Sequence, residues 1–373
     1  MKRFFLILTA FVLIFAGAAG CKKTSPEEAR ENADMIALIT DFGDITDASY
    51  NQAAYDACKA FCKEQKMKCG YFKPDSDTDA DRAAKIRQAI KEGFNILILP
   101  GKRFAAPIAE TAPENPEIKF IALDVAAENY PDGADLKNVY SVNYREEIAG
   151  FMAGYAAIRL GYTKLGFLGG VPDDDVIRYG RGFVQGAEEA AKEQQKKAEM
   201  SYVYAGQSYG DRDITAAMER WYGTGTEIVF VCGDAVYVSA GEAAKNAGGK
   251  LIGADVDRKA AFDAQYGAGV TVTSAGKALG LTVEKTLEEV ILNGGWSNCA
   301  GQFRTLGIVD EDPDKNFVFL PSKSTQWSES FTEEDYRAMV KALADGAYTV
   351  SADPDEEIRA LYVQADYQGT LKD

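Results

Sequence analysis

The stretch 36–51, IALITDFGDITDASYN, reads as a strand, a loop and the start of a helix. Ile36, Ala37, Leu38 and Ile39 form a short apolar run, as in a strand covered on both faces. A polar loop follows from Thr40 to Asp47. Ser49 is placed to cap a helix that begins near Tyr50 and runs towards Lys66. In open parallel α/β sheets, ligands bind beyond the carboxyl ends of the strands, where this loop would lie. It carries three carboxylates (Asp41, Asp44, Asp47), and the ring of Tyr50 and the carboxamide of Asn51 follow. Carboxylates accept from hydroxyls, Asn donates and accepts, and Tyr stacks on a flat ring. The set suits a neutral ligand rich in hydroxyls and ring nitrogens.

Outward from that stretch, strand-like and helix-like segments alternate. Strands read at 35–40, 68–72, 96–99, 119–123, 165–168, 201–204, 228–232, 250–253 and 270–273. Helices read at 51–64, 79–92, 146–159, 211–222, 237–246 and 276–292. Such alternation predicts βαβ units and parallel sheets, hence an α/β class. It restarts near Tyr162, after Tyr140-Ser141-Val142-Asn143-Tyr144, which reads as the crossing between two lobes. A second crossing is expected near 254–259. Lobe 1 is thus expected over 34–143 plus 257–296, and lobe 2 over 144–256 plus 297–373. Residues 302–373 read as more irregular and hold a helix over 332–344, with Thr332 as its cap.

Residues 1–20 read as a secretory signal. Lys2 and Arg3 form the charged region, 4–15 the apolar core, and Ala16-Gly17-Ala18-Ala19-Gly20 the small-residue end. Cys21 follows directly, like the lipidated cysteine of bacterial lipoproteins, although Ala18 replaces the usual Leu. Residues 21–33 then form a polar tether. The expected location is the extracytoplasmic face of the cell membrane, held by a lipid anchor.

The 373-residue chain has a formal charge of −16, and losing Lys2 and Arg3 takes the mature form to −18. A chain this acidic without a long basic run is a poor nucleic-acid binder. It contains no histidine, so the commonest general base and zinc ligand are missing. Of six cysteines, Cys58, Cys62 and Cys69 cluster, while Cys232 and Cys299 lie far off. Cys58 and Cys62 share a helix face. A zinc site there lacks an evident fourth ligand, and Cys62–Cys69 is a possible disulfide. Cys232 reads as core. No cofactor or metal is expected.

Four stretches resemble the basic membrane protein family, the substrate-binding lipoproteins of bacterial ABC transporters, and in particular its purine-nucleoside-binding members. They are Asp41-Phe42-Gly43 with Asp47-Ala48-Ser49-Tyr50-Asn51-Gln52; Asn143-Tyr144-Arg145-Glu146-Glu147-Ile148-Ala149-Gly150; Leu168-Gly169-Gly170-Val171-Pro172 with Arg178-Tyr179-Gly180-Arg181-Gly182-Phe183; and Ile252-Gly253-Ala254-Asp255-Val256-Asp257 with Thr273-Ser274 and Lys277. The resemblance covers the mature chain up to about Gly307. It implies the two-lobed type I periplasmic-binding fold, with ligand held between lobes that close on it.

The resemblance also implies roles. Asp41 and Asn51 address the purine base and Tyr50 stacks on it, with Tyr50→Phe expected to be nearly neutral for nucleoside binding. Asp255 binds the ribose hydroxyls, and Lys277 reaches the cleft. Tyr209 supplies a second ring, with Phe183 as the alternative. Where relatives carry a glycine-rich A-G-G-x-G, this chain has Cys232-Gly233-Asp234-Ala235-Val236-Tyr237. Asp234 there is a further candidate at the sugar end, and the departure leaves another nucleoside, a sugar or a polyol open as ligand. The implied partners are a permease, an ATPase and the membrane, with the protein itself a monomer. A glycoside-type hydrolase with paired carboxylates is the enzyme alternative. The absence of histidine counts against it. A surface lipoprotein used in sensing or adhesion is the other alternative.

Overall fold

The computed structural model describes residues 34–47 and 49–372. The expected signal, tether and Cys21 lie outside them. Among the described residues, thirteen strands build two sheets. The first holds β1 (Met35–Ile39), β2 (Lys68–Phe72), β3 (Ile96–Pro100), β4 (Lys119–Leu123), β5 (Val139–Tyr144) and β11 (Gln302–Leu306), ordered β11-β5-β4-β3-β1-β2. The second holds β6 (Lys164–Gly169), β7 (Ala198–Tyr204), β8 (Ile228–Cys232), β9 (Lys250–Asp255), β10 (Thr271–Lys277), β12 (Val318–Phe319) and β13 (Val363–Thr370), ordered β12-β10-β9-β8-β6-β7-β13. Every pairing is parallel except β10 with β12.

The helices are α1 (Tyr50–Gln65), α2 (Asp79–Lys91), α3 (Ala105–Thr111), α4 (Glu146–Arg159), α5 (Asp174–Glu193), α6 (Arg212–Gly223), α7 (Tyr237–Ala247), α8 (Lys259–Tyr266), α9 (Leu279–Leu287), α10 (Trp296–Cys299) and α11 (Glu333–Ala344). β3 and β8 are buried at every position. Parallel strands read as unbroken apolar runs because helices cover both faces. Within each sheet the order reverses around one strand, β1 in the first and β6 in the second. Crevices form at the carboxyl ends of strands flanking such a reversal.

α4 is buried around its whole circumference up to Ile158. It lies against α5 at backbone contact: a Cβ on Gly150 would fall 2.1 Å from the Tyr179 carbonyl oxygen, and one on Gly186 1.9 Å from that of Phe151. Only glycine fits there.

Three expectations are corrected. The segment 257–277 stays with the second sheet, since β10 pairs beside β9, and β11 returns to the first sheet beside β5. The chain therefore leaves the second sheet after Lys277, not near 254–259. The apolar run was legible, but its neighbour in the sheet is a tertiary fact. The residues read as a crossing, Tyr140 to Tyr144, are themselves a strand. Ser49 precedes α1 but its side chain makes no cap. Asp47 does that work, accepting from the N–H groups of Ser49 (2.8 Å) and Gln52 (3.2 Å), with a charge that suits a helix N-terminus. Thr332 and Asp335 do form the reciprocal cap of α11.

Candidate functional site

The carboxyl ends of the two sheets' strands converge on a cleft of about 430 Å³. Asp41 follows β1, Arg103 follows β3, Asp124 follows β4, Tyr209 follows β7, Asp234 follows β8 and Asp255 closes β9. Six of the seven expected ligand-binding side chains line it: Asp41, Tyr50, Asn51, Tyr209, Asp234 and Asp255. Asp124, Asp234 and Asp255 all adopt left-handed backbone, with φ of 61°, 45° and 70°. Asp accepts that region better than most residues, and strain of this kind gathers at ligand sites.

Asp41 and Asn51 hold each other. Asn51 Nδ2 donates to Asp41 Oδ1 at 2.9 Å and to Asp47 Oδ2 at 2.8 Å, while Asn51 Oδ1 accepts from the Asp41 N–H at 3.2 Å. Burial opposes ionisation of Asp41, but hydrogen bonds from Asn51, Phe42 and Gly43, with the charge of Arg103, outweigh it and lower its pKa. The carboxylate is thus kept charged and aimed. Arg103 reaches across the cleft, 3.3 Å from Asp41 and 3.4 Å from Asp234.

The seventh residue, Lys277, lies behind the cleft wall with 2 % of its surface exposed. Its Nζ donates to the Tyr50 hydroxyl at 2.9 Å and to Asp124 Oδ2 at 2.8 Å. It also lies 3.1 Å from Glu146 and 3.5 Å from Asp255. The rings of Tyr50, Tyr144 and Tyr179 surround it at 5.5, 5.9 and 5.4 Å. Burial would lower its pKa, yet Asp124, Tyr50 and Glu146 raise it. This ammonium therefore fixes the floor of the cleft rather than its lining.

Tyr50 bridges the two sheets. Its hydroxyl donates to Asp124, and it also contacts Asp255 Oδ1 at 3.2 Å. For the fold, as distinct from stacking on a ligand, the hydroxyl matters: Asp124, Asp255 and Lys277 all meet it. Removing the hydroxyl strands a buried ammonium and carboxylate by one partner each. The expected cost is about 1–3 kcal/mol of stability, read by urea unfolding. A loss of a few tenths would place the hydroxyl outside the network. Phe183, the alternative second ring, is fully buried against Phe230 at 5.2 Å, in the core.

Sequence reasoning missed several groups. Asp124 follows β4 as Asp41 follows β1, and that strand-end rule could have found it. Glu146, at the start of α4, is fully buried, and Arg178 donates to it at 2.7 Å. Lys102 crosses the cleft to Asp173 and to Asp175 at 3.1 Å. Phe42 is an exposed ring on the cleft, and Arg258 donates to Ser49 Oγ at 2.9 Å. These side chains meet only in three dimensions.

Burial pushes the Glu146 carboxyl up to about 7, against the pull of Lys277 and Arg178. A raised carboxyl binds more protons folded than unfolded, so its contribution falls as pH rises from its ordinary range through about 7. Glu146→Gln should remove that slope. Unfolding at pH 5 and pH 8 is expected to show the variant gaining on wild type at the higher pH; parallel behaviour would contradict the assignment.

Two helix-covered parallel sheets with a polar, aromatic cleft at their facing strand ends define a type I periplasmic-binding fold. A solved ABC transporter system solute-binding protein from Conexibacter woesei superposes with a TM-score of 0.65 at 22% identity, covering 86% of this chain and 99% of that one. The chain belongs to the Bmp family of PnrA-like ABC transporter substrate-binding proteins, whose model matches residues 35–314. The ABC transporter nucleoside-binding protein BmpA of Lactococcus lactis is 29% identical over 63% of this chain and 66% of its own length. Basic membrane protein A of Borreliella burgdorferi is 26% identical over 79% of this chain and 83% of its own. Among the described residues, no helix is long and apolar enough to cross a membrane.

Proposed function

We propose that the cleft captures a purine nucleoside and that the protein delivers it to a membrane permease driven by an ATPase. The observation that carries this reading is the convergence of Asp41, Asn51, Tyr50, Tyr209 and Asp255 on one cleft of nucleoside size. The nucleoside-binding relative supports the ligand class. Asp41, ordered by Asn51, accepts from base N–H groups. The rings of Tyr50 and Tyr209 flank the base, with Phe42 at the rim. Asp255 accepts from the ribose hydroxyls, and Asp234 stands beside that end. Lys277 acts through Tyr50 and Asp255 as a positioning residue. The protein works as a monomer on the extracytoplasmic face, anchored by lipid on Cys21.

Native mass spectrometry of the purified protein tests the ligand. A mass increment of one purine nucleoside is expected, and a hexose or polyol increment would overturn the reading. Cys21→Ser should release the protein from the membrane fraction, and unchanged membrane association would remove the anchor.

A further inference from the structure

The cysteine cluster lies away from the cleft, on the core side of α1 and on β2, the edge strand of the first sheet. Cys58 and Cys62 are buried one helical turn apart, and Cys69 reaches them from the strand, half-exposed. The three sulfur atoms all lie within 4.8 Å of one another, and Cys58 Sγ is 3.4 Å from Cys69 Sγ. Among the described residues no histidine, carboxylate or fourth thiol joins them.

We propose that Cys58, Cys62 and Cys69 form a three-thiolate site for a thiophilic monovalent cation, Cu(I). A trigonal site with metal–sulfur bonds of about 2.3 Å places its sulfurs about 4 Å apart, which the cluster meets with small rotamer changes. Soft thiolates select Cu(I) or Zn(II). Zn(II) in a closed site takes four ligands, and only three are present. A disulfide would use two of the thiols and leave the third stranded, whereas one metal uses all three. The exposed edge of β2 gives the ion a route in. On binding, the thiols release their protons to solvent and the copper keeps its +1 charge.

The test uses the whole reduced protein under anaerobic conditions, with Cu(I) supplied as its bicinchoninate complex. One Cu(I) per chain should be withdrawn from the chelator, and X-ray absorption should show three sulfur neighbours. Cys69→Ser, at the half-exposed position, should weaken capture at least tenfold while unfolding like wild type. Equimolar Zn(II) should not displace the copper. Failure to withdraw Cu(I), nitrogen or oxygen neighbours, unchanged capture by Cys69→Ser, or displacement by Zn(II) would each overturn the proposal. So would a Cys58–Cys69 disulfide in protein isolated without reductant.

Discussion

Lys277→Met is expected to cost about 3–5 kcal/mol of stability, the range for removing one partner of a buried ion pair. Methionine is close in length, so the loss comes from charge rather than from a cavity. Without the ammonium, Asp124, Glu146 and Asp255 face one another with Arg178 as the nearby cation on Glu146. Losing the pull of Lys277 leaves the Glu146 carboxyl, already raised by burial, higher still. A raised carboxyl favours the folded state when protonated, so the variant should regain stability as pH falls from 7 towards 5. Denaturant unfolding across that interval reads both effects. A loss under about 1 kcal/mol, or one that deepens on acidification, would mean that Lys277 does not hold the cleft floor together.

The second large effect concerns Asp255 and the sugar. Its Oδ1 already faces the hydroxyls of Tyr50 and Tyr179 at 3.2 and 3.3 Å. Oδ2 is the oxygen left for vicinal ribose hydroxyls. Hydrogen bonds to a charged group contribute about 1.5–3 kcal/mol each, and a buried carboxylate left without them is penalised. A site built this way rejects a ligand lacking the hydroxyls. Inosine should therefore bind wild type at least a hundredfold more tightly than 2′,3′-dideoxyinosine, the ratio corresponding to about 2.7 kcal/mol. Asn tolerates the left-handed backbone at this position, so Asp255→Asn removes the charge without a backbone penalty. It should weaken inosine binding and erase most of the preference. Additive losses in this two-ligand, two-protein cycle would show that Asp255 and the hydroxyls do not interact, and the sugar end would move to Asp234.

Much of the fold was legible because parallel strands announce themselves. β4 and β8 fall where the apolar runs put them. The helix α5 is absent from the sequence reading although Arg178 to Phe183 lie in its first half. Its glycines at 182 and 186 let α4 approach to backbone contact, and the one at 180 makes room for Tyr202 and Phe167. β11 and β13 are polar and largely exposed, so no burial pattern marked them. In the cleft, Asp41, Tyr50 and Asn51 were readable because they lie within one loop and the first turn of α1. Asp124, Glu146 and Lys277 meet from three distant segments, and only the folded chain brings one ammonium to three carboxylates.

Titration calorimetry of the wild-type protein with purine ribonucleosides, a pyrimidine ribonucleoside, free ribose and a hexose tests the central claim most directly. The cleft account predicts one site per chain that takes a purine ribonucleoside and takes the pyrimidine, ribose and hexose far more weakly. Saturable binding of the hexose or of ribose alone, with no heat from any purine ribonucleoside, would contradict it.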